Sequence, residues 1–243
     1  MKRPVVEKPD VMPTKKSKKK RKLNLSGLNQ DGDGVRVWPQ RLLVFDMNGV
    51  LISRSLKPLP NVSANFRDPK GKYVYDRPHM RELLFWALKS RGFKIALWTS
   101  ASPPVAAALS KHIFGFPKFQ IDNDCDFVWS GEKCDGRNLC LTKPLSRIWS
   151  EKTEWGPHNT IMIDNSAFKV SKHADNLIHM ETFDPGNATA GEDAMGKKIW
   201  DYLDKLQRTH GDVREFMKEC PYTEFGKLEE QRILNNKSTC LIS

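Results

Sequence analysis

Three apolar runs in this chain stop on residues that can do chemistry. Leu42-Leu43-Val44-Phe45 stops on Asp46, Phe93-Lys94-Ile95-Ala96-Leu97-Trp98 on Thr99-Ser100, and Thr160-Ile161-Met162-Ile163 on Asp164-Asn165. Lys143, followed by Pro144, falls between the second and third runs. In an open α/β sheet, ligands bind beyond the carboxyl ends of the strands, so polar groups at three such ends converge on one crevice if the strands are neighbours. Two carboxylates in a dry crevice repel unless a cation sits between them, and hard oxygen ligands suit magnesium. A lysine and a threonine hydroxyl beside them would hold a phosphoryl group by charge and hydrogen bond. The chemistry open to this set is transfer of phosphate onto an Asp nucleophile.

The elements that must position these groups are short. Asp46 leads into Asn48-Gly49, a turn signal. Residues 53–72, rich in Pro, Asn, Arg and Lys, read as a surface excursion, with Tyr73-Val74-Tyr75 a strand or its return leg. Pro78 is expected at the first position of a helix carrying Met80, Leu83, Leu84, Ala87 and Leu88 up to Gly92. Ser102-Pro103 opens a second helix with Val105, Ala108, Leu109, His112 and Ile113 inward, His112 being a core or boundary histidine. Phe127-Val128-Trp129 and Leu139-Cys140-Leu141 flank a charged, Gly-containing turn and predict a hairpin. After Pro144 a helix carries Leu145, Ile148 and Trp149, and Leu177–Met180 is a fourth parallel strand. Met195, Ile199, Tyr202, Leu203 and Leu206 share a helix face, and Val213, Phe216 and Met217 mark a shorter helix. Alternating strand and helix predicts an α/β fold: a Rossmann-like, mostly parallel sheet with helices on both faces and a small β-hairpin insertion.

Charge is concentrated at one end. Residues 1–22 hold ten Lys or Arg against Glu7 and Asp10, leaving +3 of the net +11 for everything else. The body is therefore not expected to bind nucleic acid directly. Residues 1–34 lack apolar periodicity and are expected to be a disordered basic tail. Its Lys15–Lys22 run suits a nuclear localisation signal, a solubilising tail or a patch for anionic lipid. Asn29-x-Asp31-x-Asp33-Gly34 imitates a calcium loop but has Gln40 at the twelfth position and no helix before it. Five cysteines without a CxxC pair or a hydrophobic leader predict free thiols in a reducing compartment, and no apolar run approaches the ~18 residues of a membrane span. The phosphate-handling domain is expected over 35–220, as a monomer in the nucleus or cytoplasm, with 221–243 a flexible tail. Cys240-Leu241-Ile242-Ser243 has the form of a farnesylation site at Cys240, which with the basic run would give weak membrane association.

Phe45-Asp46-x-Asn48-Gly49-Val50, Trp98-Thr99-Ser100-Ala101, Lys143-Pro144-Leu145 and Ile163-Asp164-Asn165-Ser166 resemble the four motifs of the haloacid dehalogenase superfamily. Tyr73-x-Tyr75-x-Arg77-Pro78-His79 is similar to the branch of the RNA polymerase II C-terminal-domain phosphatases and nuclear LIM interactor-interacting factors. The resemblance spans roughly residues 38–210. It implies that Asp46 is the phosphorylated nucleophile. Magnesium would be held by Asp46, the Asn48 carbonyl and Asp164, with Asn165 behind them. Thr99 and Lys143 would bind the phosphoryl group, with Ser100 and Arg77 around a phosphoprotein or phosphopeptide substrate.

One departure bears on the chemistry. Active members carry a second Asp two residues after the nucleophile, which protonates the leaving oxygen and then activates water; this chain has Asn48. An amide donates a hydrogen bond but neither releases nor takes up a proton near neutral pH. Losing that help costs about 10²–10⁴ in rate, or about 3–5 kcal/mol of barrier. The expectation is a magnesium-dependent phosphoprotein phosphatase impaired at Asn48. The alternatives are a pseudophosphatase that binds phosphopeptides without turnover and, less favoured by the lysine-rich N-terminus, a relative of mitochondrial import translocase subunits.

Overall fold

The computed structural model describes residues 38–115, 121–137, 140–187 and 196–225. The expectations for the basic tail, Asn29–Gly34, Leu139, Met195 and Cys240 lie outside the described residues.

Five strands form one parallel sheet: β1 (Leu42–Phe45), β5 (Lys94–Trp98), β6 (Val128–Trp129), β7 (Thr160–Asp164) and β8 (Leu177–His179), in the spatial order β6-β5-β1-β7-β8. The chain builds outward from β1 through β5 to β6, then returns to the other side of β1 for β7 and β8. The order reverses between β1 and β7, which is where crossovers leave in opposite directions and a crevice opens.

Alternation along the strands divides the core into two layers. Leu43, Phe45, Ile95, Leu97, Ile161 and Ile163 pack on one face against α1 (Met80–Arg91), α2 (Pro103–Phe114), α5 (Lys197–Gln207) and α6 (Val213–Glu219). Leu42, Val44, Ala96, Trp98 and Met162 pack on the other against Phe127, Trp129, Trp155, α4 (Ser146–Glu151) and the tight-helical segment 167–176. Each fully buried Leu, Val or Phe contributes about 1.5–3 kcal/mol, so a one-residue register slip, which would exchange the two faces, is strongly disfavoured. A short helix, α3 (Ile121–Asp124), precedes β6.

Strands β2 (Ile52–Ser55), β3 (Phe66–Arg67) and β4 (Tyr73–Asp76) make a separate antiparallel sheet in the order β2-β4-β3. The small antiparallel insertion expected at 127–141 is thus located at 52–76: β2 and β3 fall largely in the stretch 53–72 read as a surface excursion, and β4 is the strand offered at Tyr73-Val74-Tyr75. Asp68 explains why so polar a segment is ordered: its Oδ1 accepts from Lys70 N–H at 2.8 Å and Lys72 N–H at 3.0 Å, while Oδ2 pairs with Arg54. At 127–141, Val128–Trp129 instead extends the parallel sheet beside β5, and among the described residues the predicted hairpin is represented by the antiparallel bridge of Asp135 with Thr142.

Two boundaries also move. Helix α1 begins at Met80 rather than Pro78, with His79 in a left-handed conformation ahead of it, and ends at Gly92, whose φ of 66° suits a residue without Cβ. The folded body runs past residue 220, because Tyr222 and Phe225 pack edge-on against Tyr202. Among the described residues no helix is long and apolar enough to cross a membrane.

Candidate active site

The parallel register places the functional groups. Phe45 stands beside Ile163 in β7 and beside Leu97 in β5, so the next residue, Asp46, is level with Asp164 and Trp98. The Asp46 N–H donates to Ile163 O at 2.9 Å, carrying the ladder to the edge of the crevice. Lys143 reaches this edge from the segment before α4. Its N–H donates to Lys169 O at 2.6 Å, and its ammonium donates to Asp46 Oδ1 at 2.6 Å and Asp164 Oδ2 at 2.7 Å.

All three side chains are buried: Asp46 is 1% exposed, and Lys143 and Asp164 not at all. Burial pushes the Asp46 carboxyl above its ordinary range, against the pull of Lys143 and with the push of Asp164. Burial acts to lower the Lys143 ammonium, but the two carboxylates outweigh it, so its pKa is raised and the cation persists. Asp164 Oδ1 is fixed separately by Ser166 N–H at 2.8 Å. Asp46 Oδ2 is buried without a hydrogen-bond partner among the described residues.

An unpartnered carboxylate oxygen is what an incoming electrophile or cation would meet. Magnesium needs only one or two protein carboxylates, its remaining positions going to water and phosphate oxygens. Asp46 and Asp164 therefore fit it, although no cluster of three or more His, Cys, Asp or Glu occurs among the described residues.

The loop after Asp46 turns back on itself, with Leu51 and Ile52 N–H groups both bonded to Met47 O and with Met47, Val50 and Leu51 buried. Asn48 is exposed at its tip. Asn165 stands beside Gly49; its Nδ2 donates to Thr182 Oγ1 at 2.8 Å, and its Oδ1 is buried without a partner among the described residues. Thr99, 2% exposed, lies at the end of β5, where its Oγ1 accepts from Ala101 N–H at 3.2 Å. Ser100 is half-buried next to it, its carbonyl close against Gly131.

Arg77, expected around the substrate, is engaged by the protein itself. Its guanidinium donates to Val50 O at 3.1 Å and Glu181 O at 3.4 Å and lies over the Phe183 ring, tying the Asp46 loop to the segment after β8. It is 4% exposed. Thr182 and Lys169 also belong to the surroundings of the site and lie outside the motifs read in the sequence; only its nearness to Asp164-Asn165 could have drawn attention to Lys169, and nothing in the sequence links Thr182 to Asn165.

The order of the parallel sheet thus reverses beside a buried cluster of Asp46, Lys143 and Asp164. The chain belongs to the NLI interacting factor-like phosphatase family, whose model matches residues 41–214. It is similar to an uncharacterized FCP1 homology domain-containing protein of Schizosaccharomyces pombe, 28% identical over 167 residues. That match covers 59% of this chain and 62% of the relative, so the chain spans less than two thirds of that relative's length. Similar solved structures include the essential RNA polymerase II CTD phosphatase Fcp1, with TM-score 0.45 and 18% identity over 84% of this chain and 54% of that one. Another is a HAD-like family hydrolase from Porphyromonas gingivalis, with TM-score 0.43 and 13% identity over 70% of this chain and 98% of that one.

Proposed function

We propose that this protein is a magnesium-dependent phosphatase-type domain that takes phosphate from a phosphoprotein or phosphopeptide onto Asp46 and releases it slowly because of Asn48. The observation that carries the reading is the division of labour at Asp46: one carboxylate oxygen is held by Lys143, and the other is buried without a hydrogen-bond partner among the described residues.

In this mechanism Asp46 Oδ2 attacks phosphorus, an O–P bond forms, and the ester O–P bond to the leaving group breaks. Lys143 stays protonated and neutralises charge on the acyl phosphate. The Asp46 and Asp164 carboxylates and the Asn48 carbonyl would hold magnesium, with Asn165 behind them; when bound, it supplies charge neutralisation at the phosphoryl oxygens. The Asn48 amide can hydrogen-bond the departing oxygen but cannot protonate it, so phenolate-like leaving groups are favoured over serine alkoxides. The same amide cannot deprotonate the water that must later attack the acyl phosphate. Asn48 is also the observation that favours the second reading, binding without turnover.

The Lys15–Lys22 run supports a nuclear or cytoplasmic site of action. The test is intact-mass measurement of the full chain with magnesium and an aryl phosphate donor. A phosphate-sized mass gain that is absent from Asp46→Asn supports the reading, and an unchanged mass with both overturns it.

A further inference from the structure

Lys169 stands beside the buried cluster, and its ammonium makes no ion pair or hydrogen bond with any described residue. Its backbone is held on two sides. Its N–H donates to Ser166 O at 3.1 Å, and its carbonyl accepts from the Lys143 N–H at 2.6 Å. The residue therefore stays fixed to the segments that carry Asp164 and Lys143. Lys169 is half-buried, and the Phe168 ring next to it is 57% exposed, so this turn faces solvent a few residues from Asp164.

Two groups sense its charge. Burial raises both the Asp46 carboxyl and the Cys134 thiol, and Lys169 acts against burial in each case. Asp46 follows β1, whereas Cys134 follows the tight turn Gly131–Lys133, whose Gly131 N–H donates to Ala101 O at 2.7 Å. The backbone bonds of Lys169 to Ser166 and Lys143 keep its ammonium close enough to both segments for its charge to be felt there. Lys143 is unavailable to a second anion, because it is fully buried and both of its neighbours are carboxylates. Lys133 is paired with Glu151.

We infer that Lys169 is a specificity-determining residue that selects phosphopeptides carrying an acidic side chain next to the phosphorylated residue. This rests on the reading of Asp46 as the phosphate acceptor, which places the substrate phosphoryl group at that carboxylate and its flanking residues around it. The charge of a half-buried residue is only partly screened there, and a like charge on the peptide would be disfavoured by the same field.

The test uses the full chain with magnesium and two fluorescent phosphoserine peptides that differ only in Glu or Lys beside the phosphoserine. At low salt, anisotropy titration is expected to show the Glu peptide binding about fivefold more tightly, the ordinary scale of one partly exposed charge pair. Lys169→Ala should remove the preference, Lys169→Glu should invert it, and Lys169→Arg should keep it. A structural role alone would weaken both peptides together and would not invert their order. Equal binding of the two peptides by the natural protein, no binding of either, or a preference that survives Lys169→Glu overturns the inference. Intact-mass measurement on the same samples separates the two claims. Phosphate uptake without a charge preference removes the role of Lys169 alone, and a charge preference without uptake removes the covalent step alone.

Discussion

Gly49 lies so close to Asn165 that a Cβ at position 49 would overlap the Asn165 side-chain amide. The backbone of Gly49 has φ of 90°, where a side chain is strained whatever the space. Its carbonyl accepts from Phe183 N–H at 2.9 Å, so the turn cannot simply lift away. Gly49→Ala is expected to cost about 1–3 kcal/mol. Urea denaturation should show a lower midpoint with an unchanged slope; an unshifted midpoint would mean that the loop is free to relax.

Lys143→Met leaves two buried carboxylates facing each other. Removing one partner from a buried ionic cluster costs about 3–5 kcal/mol, and here the like charges left behind add repulsion until one takes a proton. The variant should therefore be strongly destabilised near neutral pH, with part of the loss recovered when magnesium is added, since a divalent ion would compensate the same charges. Thermal melts with and without magnesium check this. A variant as stable as the natural protein in chelator would show that the cluster does not depend on its cation.

The sheet and its chemical edge were legible because apolar runs that end on Asp46, Thr99 and Asp164 are local signals, and β1, β5 and β7 follow them closely. Of the small antiparallel sheet only β4, at Tyr73-Val74-Tyr75, was offered as a strand; β2 and β3 were not, because their ordering depends on Asp68 gathering the Lys70 and Lys72 N–H groups and Arg54 into one turn, a contact pattern that polar composition conceals. Arg77 was legible as part of a motif but not as a support, since its partners are carbonyls of Val50 and Glu181, and backbone acceptors leave no mark in a sequence. The same holds for Arg41, buried at 1% exposure, whose guanidinium bonds the Leu206 carbonyl and, at 2.9 Å, that of Thr209 beyond the end of α5. Burial brings its pKa down to about 10.

Asp76 gives a pH dependence of stability away from the crevice. Burial acts to raise its carboxyl, but hydrogen bonds from His112 and Arg81, both at 2.6 Å, outweigh burial and hold it below the ordinary carboxylate range. A depressed carboxylate contributes stability above its unfolded pKa of about 4 and loses it as pH falls through the folded value. Asp76→Asn should therefore be less stable than the natural protein by about 1–3 kcal/mol at pH 7, the gap narrowing below about pH 4. A gap that stays constant through acid denaturation would show that charge at this position is irrelevant.

Asn48→Asp places a group that can give and take a proton at the exposed tip of the loop after Asp46. Because the natural residue is exposed, the new carboxylate needs no buried partner, and folding should be nearly unchanged. Proton help at the leaving oxygen and at the attacking water typically contributes about 10²–10⁴ in rate, so magnesium-dependent hydrolysis of an aryl phosphate should rise at least about tenfold. The gain should be larger for a phosphoserine peptide, whose alkoxide leaves poorly without a proton. The lifetime of phosphate on Asp46, followed by intact mass after the donor is removed, should shorten in parallel. A variant that folds, takes phosphate onto Asp46 and yet hydrolyses no faster than the natural protein would show that Asn48 is not what limits turnover.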